Sequence, residues 1–138
     1  GGQRAMFKVA KEFRFNYAHR LLGAATKCAR FHGHSARVLI EMSGKKLDRK
    51  GMVLDFFDIK KTIGGWIDSN LDHRMILNRK DPLVKILREA GEPVLALDGN
   101  PTAELLARRI FQEARRMKLP VSRVTFWEND GSVAIYHE

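Results

Sequence analysis

The chain has 138 residues, of which 44% are hydrophobic and 30% are charged, a composition typical of globular proteins. This length predicts a single domain over residues 1–138, and no apolar run is long enough to span a membrane. The first residues lack a positive stretch followed by an apolar one, so no signal peptide is expected. The single cysteine excludes an internal disulfide and suits the reducing cytoplasm.

The net charge is +9, from 25 Lys and Arg residues against 16 Asp and Glu residues. Such a balance favours anionic partners: nucleic acid, a membrane surface or a phosphorylated small molecule. The basic residues are scattered, without the long runs that a disordered nucleic-acid-binding arm tends to show. A solvated basic surface explains most of them, and we expect neither a nucleic-acid nor a membrane partner.

Two segments near the start of the chain alternate between apolar and polar side chains. In residues 6–19 the apolar side chains fall on odd positions, and His19 shares that phase. In residues 34–43 they fall on even positions, in phase with His32 and His34. A period of two predicts that both segments are half-buried strands.

The middle of the chain has a different pattern. Residues 56–71 carry apolar side chains at three- and four-residue spacing, which predicts a helix, although Gly64 and Gly65 lower its helix propensity. Residues 72–100 are predicted to be mostly loop, with one short helix between Pro82 and Ala90.

The last third of the chain predicts one helix and a hairpin. Residues 101–118 have one apolar face, and Asn100-Pro101-Thr102 supplies a cap residue and a proline in the first turn of the predicted helix. Residues 121–129 and 132–137 read as strands joined by Asp130-Gly131, a strong hairpin signal. Without the small helix, the order is strand-strand-helix-helix-strand-strand. We therefore predict an α+β fold with a four-stranded antiparallel sheet and two helices on one face.

Three histidines are placed to meet. Residues two apart in a strand point the same way, so His32 and His34 can reach one point, and His19 joins them if the first two strands pair. Three imidazoles with one open position are typical of a catalytic zinc site, whereas Cys28 as a fourth ligand would make the site structural. Spacing alone leaves catalytic metal, structural metal and no metal open.

The chain resembles the 6-pyruvoyltetrahydropterin synthase / 6-carboxytetrahydropterin synthase family, which has a tunnelling fold. The resemblance rests on short motifs that occur in the family's order and are spread over nearly the whole chain. They are F-N-Y-A-H (Phe15 to His19), C-A-R-F-H-G-H (Cys28 to His34), V-L-D-F (Val53 to Phe56), L-D-H (Leu71 to His73), N-P-T-A-E (Asn100 to Glu104) and Glu128.

The resemblance implies a role for each matching residue. The implied Zn²⁺ ligands are His19, His32 and His34. The implied catalytic base is Cys28, with Asp72 and His73 as its partners in proton transfer. The implied pterin anchor is Glu128, with Thr102 and Glu104 lining the same pocket across a subunit boundary. It also implies 7,8-dihydroneopterin triphosphate as the substrate and a homohexamer of two stacked trimers.

The residues themselves give partial support for these roles. Glu128 shares the phase of an apolar face, where a carboxylate is costly unless it is paired. It could accept two adjacent N–H groups of a pterin, or form a salt bridge, for instance with Arg123. Asp72 could orient the imidazole of His73 only in a loop, because adjacent residues of a strand point apart. Candidate cations for the triphosphate are Arg20, Lys27 and Arg30.

The resemblance also bears on the product, through the gap between the cysteine and the H-G-H motif. Members that resemble the pyruvoyl synthases have a longer gap between the cysteine and H-G-H, whereas here three residues separate Cys28 from His32. This resembles the bacterial carboxy synthases of queuosine (7-deazaguanine) biosynthesis, which implies release of triphosphate and acetaldehyde and formation of 6-carboxy-5,6,7,8-tetrahydropterin. The segment 78–100 looks longer than in compact carboxy synthases. A pyruvoyl synthase and a non-catalytic zinc-stabilised RNA-binding module remain the alternatives.

Overall fold

A computed structural model describes residues 5–138. The strands are β1 (Phe7–His19), β2 (His32–Gly44), β3 (Arg74–Asn78), β4 (Val94–Leu97), β5 (Val121–Asn129) and β6 (Ser132–His137). The α-helices are α1 (Phe56–Ile59), α2 (Gly65–Asn70), α3 (Leu83–Glu89) and α4 (Ala103–Arg116). A π-helical turn (Lys60–Gly64) joins α1 to α2, and a 3₁₀ turn (Lys27–Ala29) lies between β1 and β2. None of the helices in this part of the chain has the length and apolar character that crossing a bilayer requires.

The strands form one mixed sheet in the order β4-β3-β1-β2-β5-β6. The pairs β1–β2, β2–β5 and β5–β6 are antiparallel, as predicted, whereas β1–β3 and β3–β4 are parallel. The prediction of four strands was therefore two strands short, and the missed ones lie in the segment predicted as loop. Both are short, and their apolar residues run consecutively instead of alternating, as is usual for buried parallel strands.

Alternation in β1 and β2 builds the face of the sheet that carries the core. The buried residues of β1 near its end are Phe15, Tyr17 and His19, all on odd positions, and in β2 the buried face runs through even positions from Ala36 to Met42. The register pairs His19 with His32 and Tyr17 with His34. The β1–β2 pairing therefore brings the ends that carry histidines together.

Two helical segments cover this face, as predicted. Helix α4 buries Leu106, Ile110 and Phe111 in the core, and its N-cap is Thr102, whose hydroxyl accepts a hydrogen bond from the Leu105 N–H. Pro101 thus precedes the helix instead of forming its first turn. The continuous helical segment from α1 to α2 matches the helix predicted over residues 56–71.

The packing of this segment against β1 explains why a residue of low helix propensity, Gly64, lies within it. A Cβ atom at Gly64 would lie 2.7 Å from Cε1 of Phe13, closer than carbon atoms can approach. The glycine therefore lets the helical segment pack directly against β1. Glycine lowers the helix propensity at this position, but it permits close contact between helix and sheet.

Candidate active site

Three imidazoles converge at the end of β1 and the start of β2. Nε2 of His19 lies 2.9 Å from Nε2 of His32 and 3.1 Å from Nε2 of His34. The candidate ligand atoms of all three residues lie within 4.8 Å of one another. The sequence prediction that these side chains can meet at one point is thereby confirmed. Their role as metal ligands stays a prediction.

Backbone carbonyls fix the tautomers of two of these rings. Nδ1 of His19 lies 2.7 Å from the carbonyl oxygen of Pro101, and Nδ1 of His32 lies 2.7 Å from that of Arg30. Because a carbonyl only accepts hydrogen bonds, both Nδ1 atoms carry the proton, and in the neutral rings both Nε2 atoms present bare lone pairs. Two lone pairs 2.9 Å apart repel each other unless a cation lies between them.

The donor set fits a metal ion. A carbonyl that holds the remote ring nitrogen of a histidine is the usual outer support of a metal ligand. Zinc–nitrogen bonds of about 2.0–2.1 Å in tetrahedral geometry place nitrogen atoms about 3.4 Å apart, within a few tenths of an ångström of the separations observed. A small outward movement of the rings would therefore admit an ion.

Burial favours the neutral form of two of these imidazoles, those of His19 and His34. Burial, together with the neighbouring rings of His32 and His34, lowers the pKa of His19 to about 4, although the hydrogen bond to Pro101 acts in the opposite direction. Burial also lowers the pKa of His34, against the opposing effect of the Glu128 charge. Neutral imidazole is the form that binds metals, so His19 and His34 are in the form that can bind an ion at neutral pH.

Glu128 adds a carboxylate to the edge of the cluster. Its Oε1 lies 4.0 Å from Nε2 of both His19 and His34. The alternative salt bridge with Arg123 is not observed, because Arg123 instead faces Glu41 at 3.7 Å. Glu128 therefore presents its carboxylate beside the imidazoles, with a side chain that is 23% exposed and open to a ligand.

Tyr17 underlies the same site, and sequence reasoning treated it only as a core residue. Its ring packs edge-on against His19, at 5.1 Å between centroids. Its hydroxyl is buried and has no hydrogen-bond partner among residues 5–138. Burial and the charge of Glu128 raise the pKa of Tyr17, so the hydroxyl stays protonated and can donate. The sequence did offer one signal for its place at the site: Tyr17 lies two residues before His19 and on the same buried face of β1.

Cys28 lies on the connection between two of the histidines. It sits in the 3₁₀ turn, which Thr26 caps, and it is partly exposed. Its sulfur is not among the atoms of the histidine cluster. This placement favours a site with an open position over a closed site in which the thiolate is the fourth ligand.

Asp72 and His73 form a polar pair in the turn before β3. Nδ1 of His73 lies 3.0 Å from Oδ2 of Asp72, and Oδ1 of Asp72 accepts a hydrogen bond from the Asn16 N–H at 3.0 Å. The bond from Asn16, followed by the interaction with His73, lowers the pKa of Asp72. His73 has a φ of 57°, so this pair does require a turn, as the sequence predicted.

This pair lies away from the histidine cluster within one chain. The pair lines a cavity together with Asn16 and Ser35, which alternate with the buried residues of β1 and β2, so this cavity is reached from the face of the sheet opposite the core. The cavity has a volume of about 400 Å³ and is also lined by Trp127, and none of the clustered histidines lines it.

Thr102 and Glu104 are also separate from the cluster. Both line a cavity of about 370 Å³ beside the start of α4, together with Arg108 and Tyr136. Glu104 is exposed, and the Thr102 hydroxyl caps the helix. The structure thus brings together the histidines and Glu128, and leaves the other predicted residues in three further places: the turn of Cys28, the cavity of Asp72 and His73, and the cavity of Thr102 and Glu104.

Among the candidate phosphate-binding cations, Arg20 is already paired. Its Nε and Nη2 bind the carboxylate of Asp81 at 2.7 and 2.6 Å, and Asp81 is buried. Lys27 and Arg30 are exposed. Only the latter two remain accessible to an anionic substrate.

Known proteins show the same sequence pattern and fold. The family model described as 6-pyruvoyl tetrahydropterin synthase matches residues 8–138. A 6-carboxy-5,6,7,8-tetrahydropterin synthase of Rickettsia bellii is 38% identical over 110 residues, covering 78% of this chain and 80% of its own. One from Haemophilus influenzae is 33% identical over 141 aligned positions, covering 96% and 100%.

Solved structures agree in fold. The 6-pyruvoyl tetrahydropterin synthase of Caenorhabditis elegans superposes with a TM-score of 0.73 at 20% identity, covering 100% of this chain and 99% of its own. An uncharacterized protein of Wolinella succinogenes gives 0.78 at 24% identity, covering 97% and 99%. These likenesses confirm the predicted tunnelling fold. Together with the match over residues 8–138, they show that the chain belongs to the 6-pyruvoyl tetrahydropterin synthase family.

Proposed function

We propose that the chain is a zinc-dependent lyase that converts 7,8-dihydroneopterin triphosphate to 6-carboxy-5,6,7,8-tetrahydropterin, with uptake of one water and release of acetaldehyde and triphosphate. The observation that carries this proposal is the convergence of three imidazoles, with Glu128 at the edge of their cluster. The names of relatives at 33–38% identity supply the product. The family resemblance suggests the substrate, and we propose that the enzyme acts in queuosine biosynthesis in the cytoplasm.

The metal would be held by Nε2 of His19, His32 and His34. When bound, zinc supplies Lewis-acid polarisation of the substrate's side-chain hydroxyls, which eases removal of the neighbouring protons. Pro101 and Arg30 support this role, because their carbonyls hold two of the rings with Nε2 directed at the shared point.

Glu128 would orient the pterin ring. A carboxylate can accept hydrogen bonds from the ring N–H and the amino group of a pterin together. Because Oε1 lies 4.0 Å from Nε2 of two of the imidazoles, a pterin bound there would lie next to the cluster. The buried hydroxyl of Tyr17 provides a further donor beneath it.

Proton transfer would fall to Cys28, Asp72 and His73. The thiol of Cys28 lies on the loop that connects two ligands and can take a proton as thiolate. Asp72 holds Nδ1 of His73, which leaves Nε2 free to exchange a proton with the substrate.

The separation of the pair Asp72 and His73 from the histidine cluster supports an active site built from more than one subunit. Within one chain the pair Asp72 and His73 faces a different cavity from the histidine cluster. We propose that a neighbouring subunit of a homohexamer supplies this pair, and that Thr102 and Glu104 reach the same pocket across a subunit boundary. Exposed apolar side chains on the edge strand β6, Val133 and Ile135, are consistent with subunit contacts.

A 6-pyruvoyltetrahydropterin synthase activity, which eliminates triphosphate only, is the second candidate, because the family model and the C. elegans neighbour carry that name. The test is to incubate zinc-loaded protein with 7,8-dihydroneopterin triphosphate and to measure acetaldehyde and the pterin product by mass spectrometry. Acetaldehyde in equal amount to triphosphate is expected. Triphosphate with a pyruvoyl product and no acetaldehyde would assign the second activity, and no turnover would contradict both.

A further inference from the structure

The side chain of Asn100 binds both main-chain groups of Leu22. The Leu22 N–H donates to Oδ1 of Asn100 at 2.9 Å, and Nδ2 of Asn100 donates to the Leu22 carbonyl at 3.0 Å. Asn78 adds a third contact, from its Nδ2 to Oδ1 of Asn100 at 3.1 Å. The Asn100 amide offers a donor and an acceptor side by side and uses both on Leu22, which an ionised aspartate, having acceptors alone, could not do.

Leu22 belongs to the loop that carries the thiol. Its neighbour Leu21 donates its N–H to the carbonyl of Cys28 at 2.8 Å, which closes the loop on itself. A side chain that fixes Leu22 therefore also fixes the main chain on which Cys28 stands. The contact spans 78 residues of sequence, so it ties the loop to a distant segment, which the hydrogen bonds within the loop do not.

The residue after Asn100 holds a clustered imidazole. Pro101 accepts the hydrogen bond from Nδ1 of His19, and the ring of this proline also restricts the backbone of Asn100. The preceding Gly99 has a φ of 142°, which a residue with a side chain rarely adopts. The dipeptide Asn100-Pro101 thus holds the loop of Cys28 with one residue and the ring of His19 with the next.

We propose that Asn100 is a positioning residue that fixes the Cys28 thiol relative to the imidazole of His19. The inference rests on the proposed function for the roles of those two groups. A misplacement of about 1 Å between reacting groups can lower a rate by about 100-fold, so a shared support for the base and the metal ligand has a direct catalytic value.

The test uses the fact that Cys28 is the single cysteine of the chain. Alkylation by iodoacetamide, followed by intact-mass spectrometry, therefore reports on this thiol alone and needs no substrate. In Asn100→Ala the loop loses both bonds to Leu22, and we expect the thiol to react at least fivefold faster. Asn100→Asp, which keeps the acceptor but loses the donor, should react faster than wild type and is the deciding variant if the alanine variant does not fold.

The matched control is Asn70→Ala, which removes a part-buried amide bonded to the Trp66 carbonyl, away from the loop. It should change the melting temperature but leave the alkylation rate within twofold of wild type. Asn100→Asp should also lower kcat with little change in KM. An alkylation rate within twofold of wild type in a folded Asn100 variant would overturn the proposal, whatever the product assay shows. If the wild-type protein shows no turnover but the Asn100 variants are alkylated faster, the result would count against the proposed function alone.

Discussion

Nε2 of His19 and Nε2 of His32 lie 2.9 Å apart while the opposite nitrogen of each ring is committed to a backbone carbonyl. This arrangement follows from the register that pairs the two residues across β1 and β2. It is stable only with a positive charge between the rings, and burial disfavours a proton there. A metal ion meets both conditions.

Glu128→Gln should weaken pterin binding and leave the metal in place. The amide keeps one acceptor but loses the charge that strengthens hydrogen bonds from the ring, an effect of about 1.5–3 kcal/mol, or roughly 10- to 100-fold in affinity. Titration with a non-reactive pterin measures the affinity, and elemental analysis measures zinc. Glu41→Gln, which alters the pair with Arg123 elsewhere in the sheet, is the control. Loss of zinc in Glu128→Gln would make this carboxylate a ligand instead of a substrate anchor.

Cys28→Ala should retain zinc and lose turnover. The sulfur lies outside the histidine cluster, so the ligand set is complete without it, whereas removal of a proton acceptor costs about 100- to 10,000-fold in rate. Zinc stoichiometry and acetaldehyde release, measured on the same sample, check both parts. A variant that loses its zinc would show that the thiol binds the metal.

Mixing two inactive variants tests whether the site is shared between subunits. Cys28→Ala and His73→Ala each remove one group, and in one chain these groups do not share a cavity. If different subunits supply them, hexamers reassembled from an equal mixture contain sites with both groups intact. Partial recovery of activity is then expected. Recovery should be absent if one chain supplies both groups, and each variant reassembled alone is the control.

The buried pair of Arg20 and Asp81 predicts a pH dependence of stability. The hydrogen bonds from Arg20 lower the pKa of Asp81 below its unfolded value of about 3.9. Its contribution to the free energy of unfolding is therefore complete above that value and is lost as the pH falls through the folded pKa. Asp81→Asn should cost about 1–3 kcal/mol at pH 7, because it leaves a partly buried guanidinium unpaired.

Urea unfolding of wild type and Asp81→Asn from pH 7 down to pH 2.5 measures this contribution. The difference between the two proteins should shrink below about pH 4. Asp98→Asn is the control, because its ion pair with Arg79 is largely exposed and should contribute little at any pH. A difference that stays constant down to pH 2.5 would show that Arg20 does not depress this pKa.

The sequence predicts the local part of this structure well. Alternation predicts β1 and β2, and the hairpin signal at Asp130-Gly131 predicts β5 and β6. The phase of the three histidines predicts that their rings meet, because side-chain direction in a strand alternates with position. The strands β3 and β4 escaped prediction, since consecutive apolar residues without alternation do not distinguish a short buried strand from a loop.

Contacts between distant segments account for what could not be predicted. The bond from His19 to Pro101 spans 82 residues, and the clamp of Asn100 on Leu22 spans 78. Neither hydrogen-bonded contact produces a periodic pattern in the sequence, because each depends on how a distant segment packs against the start of α4. The placement of Asp72 and His73 away from the cluster likewise depends on the crossing from the helices to β3.

X-ray absorption at the zinc edge of the substrate-free, zinc-loaded protein tests the central claim most directly. The account predicts three nitrogen donors at about 2.0–2.1 Å with one further oxygen donor, and loss of bound zinc in His32→Ala but not in the control His137→Ala. A sulfur donor at about 2.3 Å, or a spectrum unchanged in His32→Ala, would contradict it.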